Sequence, residues 1–143
     1  MLFDENRENI KVLDEIAMIE YIANEVRKDY PYFQLMLILT CYKIVGKPHA
    51  KKIIGHIKEA NQKFPHLIGG FDMVNEEEFT PEISEFAPDI LGAQKSKQMR
   101  NMPCFFHAGE THDNEITNIH AALLMNSKRI GHGFQLSLFP NLI

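Results

Sequence analysis

"PYFQLMLILTCYKIVGKPHAKKIIGHIKEANQKFPHLIGGFDMV", residues 31 to 74, decides the architecture. Through Tyr42 it is an apolar run of large side chains, bounded by Pro31 and by Gly46 with Pro48, and it reads as a buried strand. From Lys47 the period changes. Pro48 suits the first turn of a helix, and Ile53, Ile54 and Ile57 fall on one helical face with lysines opposite. "HLIGGFDMV", residues 66 to 74, is apolar again, and its paired glycines allow close backbone approach, which predicts a second strand. Strand, helix, strand makes a βαβ unit, whose crossover helix returns the chain so that the two strands run parallel.

The same alternation continues on both sides. Upstream, residues 10 to 28 place Ile10, Leu13, Ala17 and Tyr21 at helical spacing with charges opposite. Downstream, the acidic stretch "NEEEFTPEISEFAPD" predicts a loop leading into a weaker helix around residues 89 to 100. "PCFFHA" predicts a strand, residues 114 to 127 a helix, and "RIGHGF" a last strand. Strands alternating with helices mean a parallel α/β sheet covered by helices, with about four strands. Such a chain is either a small open α/β domain or part of a (β/α)₈ barrel, which needs eight strands and typically about 250 residues. No repeat or linker divides it, so residues 1 to 143 read as one unit. Half a barrel leaves two strand edges unpaired, which predicts a chain that depends on association.

With 45% hydrophobic and 24% charged residues the composition is globular. A net charge of −4 gives no attraction to nucleic acid or anionic membranes, so neither is expected as a partner. No segment approaches the roughly 20 apolar residues of a membrane span. The opening "MLFDENRENI" is charged and lacks the apolar run of a signal peptide. Cys41 and Cys104 both lie in apolar runs and read as buried free thiols.

Chemistry concentrates at strand ends. In parallel α/β folds, active-site groups sit at the carboxyl ends of strands and in the loops that follow. His107 closes the run "CFF", and Gly109 loosens the backbone so that Glu110 can turn back to the same mouth. His132, between two glycines, closes "RIG". Asp72 and Asn75 close "IGGF". Taken singly, each has an ordinary reading: a hydrogen-bonded histidine, a capping aspartate. Three successive strands ending alike ask for a common cause. Glu76, Glu77 and Glu78 read as a solvated acidic loop, His49, His56, His66 and His120 as surface or packing residues, and His112 as exposed. "PCFFH" does not fit the zinc site of cytidine deaminases, which needs His-x-Glu and a second cysteine.

"PCFFHAGET" and "NSKRIGHGFQLS" resemble signature sequences of the adenosine deaminase family, in particular its adenosine deaminase-related growth factor (type 2) branch. "KFPHLIGGFDMVNEEE" resembles the preceding strand and loop more loosely, and order and register agree over roughly residues 30 to 142. The resemblance implies a (β/α)₈ TIM barrel, of which this chain holds about four central βα units, roughly the third to the sixth. It implies one catalytic Zn²⁺ per complete domain and hydrolysis of adenosine, or 2'-deoxyadenosine, to the inosine product and ammonia. His107 is then a metal ligand, Glu110 the carboxyl that protonates the purine ring nitrogen, and His132 the base that orients the attacking water. Asp72 and Asn75 fall where the family binds substrate. Branch members are secreted, and some family members dimerise.

Two departures qualify this. Where the family has a glycine whose amide holds the purine, this chain has Asn75. The family also draws zinc ligands from a His-x-His on its first strand and an Asp-Asp pair near its last. Neither occurs here, so the chain is expected to be a fragment that is inactive alone. Two alternatives follow: a catalytically dead relative acting as a secreted binding or growth-factor-like module, and a superfamily hydrolase for another amino-purine.

Overall fold

The computed structural model describes residues 10–143, so most of the leader reading lies outside the described residues. Its elements run α1 (Val12–Asp29), β1 (Leu37–Tyr42), α2 (Lys47–Lys63), β2 (Ile68–Val74), α3 (Ile83–Gln94), β3 (His107–Ala108), α4 (Asn118–Leu124) and β4 (Gly131–His132). Short 3-10 turns occupy Lys43–Val45, Glu77–Phe79, Phe134–Ser137 and Pro140–Leu142. The fold is mixed α/β with short parallel strands, as the alternation predicts.

β1 and β2 pair in parallel, with Leu39 opposite Phe71 and Cys41 opposite Met73. β3 and β4 pair in parallel, with His107 opposite Gly131. A parallel bridge between Phe71 and Cys104 joins the two pairs. There the Phe71 amide donates to Pro103 O and the Phe105 amide to Phe71 O, each at 2.9 Å. The four strands therefore lie side by side in chain order.

Helices supply the cover. α2 buries Ala50, Ile54, Ile57 and Ala60, and Pro48 stands in its first turn as expected. α3 buries Ile83, Phe86, Ile90 and Ala93. Between helices and sheet, Phe71 and Phe106 meet edge to face with ring centroids 6.2 Å apart. Each such side chain contributes about 1.5–3 kcal/mol when fully buried. Both cysteines are free and buried, and burial pushes each thiol up to about 11.

The structure corrects several boundaries. The run from residue 31 was expected to form one buried strand, but only Leu37–Tyr42 is extended pairing and only Cys41 within it is fully buried. The reason is that, among the described residues, β1 pairs with a strand on one side only. α3 begins at Ile83 rather than near residue 89 and ends at Gln94. Pro88 lies inside it and has no N–H for the carbonyl one turn earlier, which favours a break. The buried face of α3 outweighs that local loss. α4 covers only Asn118–Leu124, because "THDNE" turns on itself: the Asp113 amide donates to Thr111 Oγ1 at 3.3 Å and the Glu115 amide to Asp113 Oδ1 at 2.9 Å. Side chains of this kind compete with helical hydrogen bonding. No described helix is long and apolar enough to cross a membrane.

Candidate active site

Four of the five residues singled out by strand-end position gather at one end of the sheet. His107 in β3 lies over the backbone of β4. A Cβ at Gly131 would stand 2.7 Å from His107 Cδ2, so only glycine leaves room for the ring. Beyond Gly131 the chain turns sharply, with His132 at φ +71° and Gly133 at φ +72°. A non-glycine residue in that region is strained, and here the strain is what turns the second imidazole to the first. The two rings meet edge to face, centroids 5.4 Å apart. Glu110 follows Gly109, itself at φ +70°, and its Oε1 lies 3.9 Å from His132 Nε2.

Behind His107 stands Asp72. Its Oδ2 is 2.8 Å from His107 Nδ1, yet Nδ1 and Asp72 Oδ1 are both buried polar atoms without an aligned hydrogen-bond partner. The contact is close but poorly directed, so we treat it as electrostatic. A carboxylate beside Nδ1 favours the tautomer with its proton there and a lone pair on Nε2, the form a metal ligand needs. Burial pushes the Asp72 carboxyl above its ordinary value, and contacts with the His107 ring and with the Met73 and His107 amides oppose that push. Asp72 thus faces a histidine, a partner the sequence did not assign to it.

Asn75 stands apart from this group. It follows the end of β2 with φ +114°, and its Oδ1 accepts the Ile44 amide at 3.4 Å. This backbone conformation suits glycine, the residue that the resembling family has here.

Two residues went unrecognised in the sequence. Glu77, assigned with Glu76 and Glu78 to a solvated loop, is only 4% exposed. Its Oε1 accepts the Gly109 amide at 2.9 Å and its Oε2 the Glu110 amide at 2.6 Å. An acidic run hides such a residue, since burial depends on a turn that brings one of three glutamates under the next strand. Lys43, directly after β1, is fully buried, and its Nζ has no hydrogen-bond partner. Burial lowers its pKa, while the carboxylates of Glu77, Glu82 and Glu110 oppose the shift. Its position after an apolar strand, like that of Asn75 after β2, is the signal that could have found it.

Two imidazoles and a carboxylate at this spacing can relay a proton and present one imidazole nitrogen to a metal. Among the described residues, no three of His, Cys, Asp and Glu converge closely enough to hold a metal ion. The segment fits one corner of a zinc site and not the whole of one.

Comparison with known proteins agrees with the motifs. The chain is 34% identical over 130 residues to adenosine deaminase 2-A of Danio rerio, covering 87% of this chain and 25% of that protein. It is 34% identical over 135 residues to adenosine deaminase 2 of Sus scrofa, with 87% and 25% covered. A Lutzomyia longipalpis adenosine deaminase is 31% identical over 133 residues, with 90% and 25% covered. The chain spans about a quarter of the length of these curated relatives. No family model matches it.

Proposed function

Since the chain belongs to the adenosine deaminase family, on the side of its type 2 members, we propose that residues 1 to 143 form part of one catalytic domain that hydrolyses adenosine or 2'-deoxyadenosine. The observation that carries this reading is the meeting of His107, Glu110 and His132 at the carboxyl ends of neighbouring parallel strands, with Asp72 against the first. Chain-order pairing of parallel strands, without reversal, supports a barrel segment over a doubly wound sheet. Unpartnered apolar surface on β1, where Ile38 and Tyr42 are exposed, supports a further neighbouring strand in the complete domain. The branch resemblance adds secretion to the proposal.

In this mechanism His107 would hold one position of a zinc site, with Asp72 fixing the ring. A zinc bound there would supply a Lewis acid that makes water a better nucleophile at neutral pH. His132 orients the attacking water and takes its proton. Glu110 donates a proton to the purine ring nitrogen as water adds to the amino-bearing carbon. The proton held by His132 passes to the amino group, which leaves as ammonia while the added hydroxyl returns its proton to Glu110, and the 6-oxo product remains.

The test replaces the matching segment of a full-length relative with residues 30–143. Glu110→Gln should lower kcat by about 10²- to 10⁴-fold, the usual worth of a general acid, with zinc content unchanged. His107→Ala should lose metal and activity together. A Glu110→Gln barrel with near-normal turnover and full zinc would move the acid elsewhere and end this assignment.

A further inference from the structure

We infer that Glu77 is a positioning residue for Glu110: its buried carboxylate, bridging the amides of Gly109 and Glu110, sets the turn that aims the Glu110 side chain. This deepens the functional reading above and rests on it for the role of Glu110.

The turn needs such a hold. Gly109 leaves β3 in a left-handed conformation, so its amide and the next one have left the ladder that pairs β3 with β4. Two buried amides without acceptors are costly, about 1–3 kcal/mol each. A carboxylate can accept both at once, and N–H donors to an ionised acceptor form stronger bonds than neutral pairs. Glu77 supplies this with one oxygen per amide, at 2.9 and 2.6 Å. On the other side of the same peptide, the Gln135 amide donates to Gly109 O at 3.1 Å. Space is short as well: a Cβ at Gly109 would lie 3.2 Å from Gln135 Cβ and 3.2 Å from Ile119 Cδ1. The turn is therefore fixed from both faces, and one of the two holds is a side chain that can be changed without touching Glu110.

The position of Glu77 in the chain adds to this. It lies in the 3-10 turn after β2, two residues beyond the strained Asn75, so the β2 end and the β3 end are tied through one carboxylate. Lys43, directly after β1, is wholly buried. The β2 end and the β3 end thus both bear on the placement of Glu110. Residues that only hold a partner in place can matter greatly, since a misplacement near 1 Å costs about 10²-fold.

The experiment uses the same complete barrel, with Glu77→Gln and, as a control, Glu78→Gln at the exposed neighbour. Gln keeps the shape of Glu77 but turns an N–H₂ toward one of the two amides. Two readouts are taken: hydrogen exchange of a peptide covering residues 107–113, and kcat with KM and zinc content. Glu77→Gln should speed exchange at Gly109 and Glu110 by about tenfold or more, the equivalent of one hydrogen bond. Amides of the β2 ladder, such as Phe71 and Phe105, should keep their protection. kcat should fall by about 10- to 100-fold with KM and zinc little changed, and Glu78→Gln should alter nothing. Unchanged exchange at 109 and 110 would overturn the clamp whatever the activity does. Faster exchange with unchanged kcat, in a barrel that Glu110→Gln inactivates, would overturn the positioning role. A barrel indifferent to Glu110→Gln would overturn the functional reading and the positioning role with it, while exchange still judges the clamp.

Discussion

β1 and β2 lie side by side, paired residue for residue, and meet very different surroundings. "LILTCY" in β1 is the more apolar by composition, yet Ile38 is 38% exposed and Tyr42 53%. "IGGFDMV" in β2 contains two glycines and an aspartate, yet Phe71 and Met73 are fully buried and Asp72 nearly so. The difference is the number of neighbours. β2 has β1 on one side and residues 103–105 on the other, whereas β1 pairs on one side only among the described residues. Apolar content marks what a strand is built to meet, and burial reports what it meets here. The mismatch in β1 is what the barrel reading expects of a strand that gains a second neighbour in the complete domain, and the catalytic candidates cluster from the well-covered β2 onward.

Four substitutions test this contrast in the complete barrel, by urea unfolding. The largest effect is expected at the better-covered strand: Phe71→Ala should cost about 3–5 kcal/mol, the transfer of a large ring plus the cavity left behind. Ile38→Ala should then cost about 2–4 kcal/mol if, as the barrel reading requires, a neighbouring strand covers what is exposed here. An Ile38→Ala cost under about 0.5 kcal/mol would mean that nothing packs on β1, and would break the barrel interpretation. A middling effect is expected at β4, where Gly131→Ala forces the His107 ring off its seat. Overpacking of this kind costs about 1–3 kcal/mol, and zinc content should fall with it. Retention of both stability and metal would show that the ring has another place to go. The smallest effect has the opposite sign. Asn75→Gly relieves a backbone at φ +114° and loses one long contact to Ile44, so the barrel should gain about 1 kcal/mol. A loss of stability there would make the Asn75–Ile44 contact stronger than its 3.4 Å implies.

How far the sequence could be read follows from the range of each interaction. The period of α2 and the position of Pro48 are local, and the helix stands within one residue of its expected ends. The order of strands and the family motifs were also legible, and so His107, Glu110 and His132 were named before any geometry. What failed was decided at a distance. α3 crosses Pro88 because its buried face packs across the fold, which no local propensity reveals. Glu77 looked like its two neighbours, and only the approach of the Gly109 turn distinguishes it. Asp72 was placed at a strand end correctly but lacked its partner, since His107 is 35 residues further on and reaches it from the neighbouring strand. Lys43 belongs to the same class, a charged residue that is fully buried.

The bare Cα of Gly131 has a reach beyond its own turn. Because the His107 imidazole occupies the volume a side chain there would take, the two positions behave as one inherited unit: drift at either is held by the other. A chain that lost the histidine to something small would free residue 131 to vary, and the glycine would soon carry no trace of its former duty. Conversely, a descendant that acquired even a methyl at 131 would have to surrender the ring before it lost anything else. In comparisons among relatives, the pair should therefore be kept together or abandoned together, and a sequence that keeps only one of them identifies a lineage already leaving this chemistry.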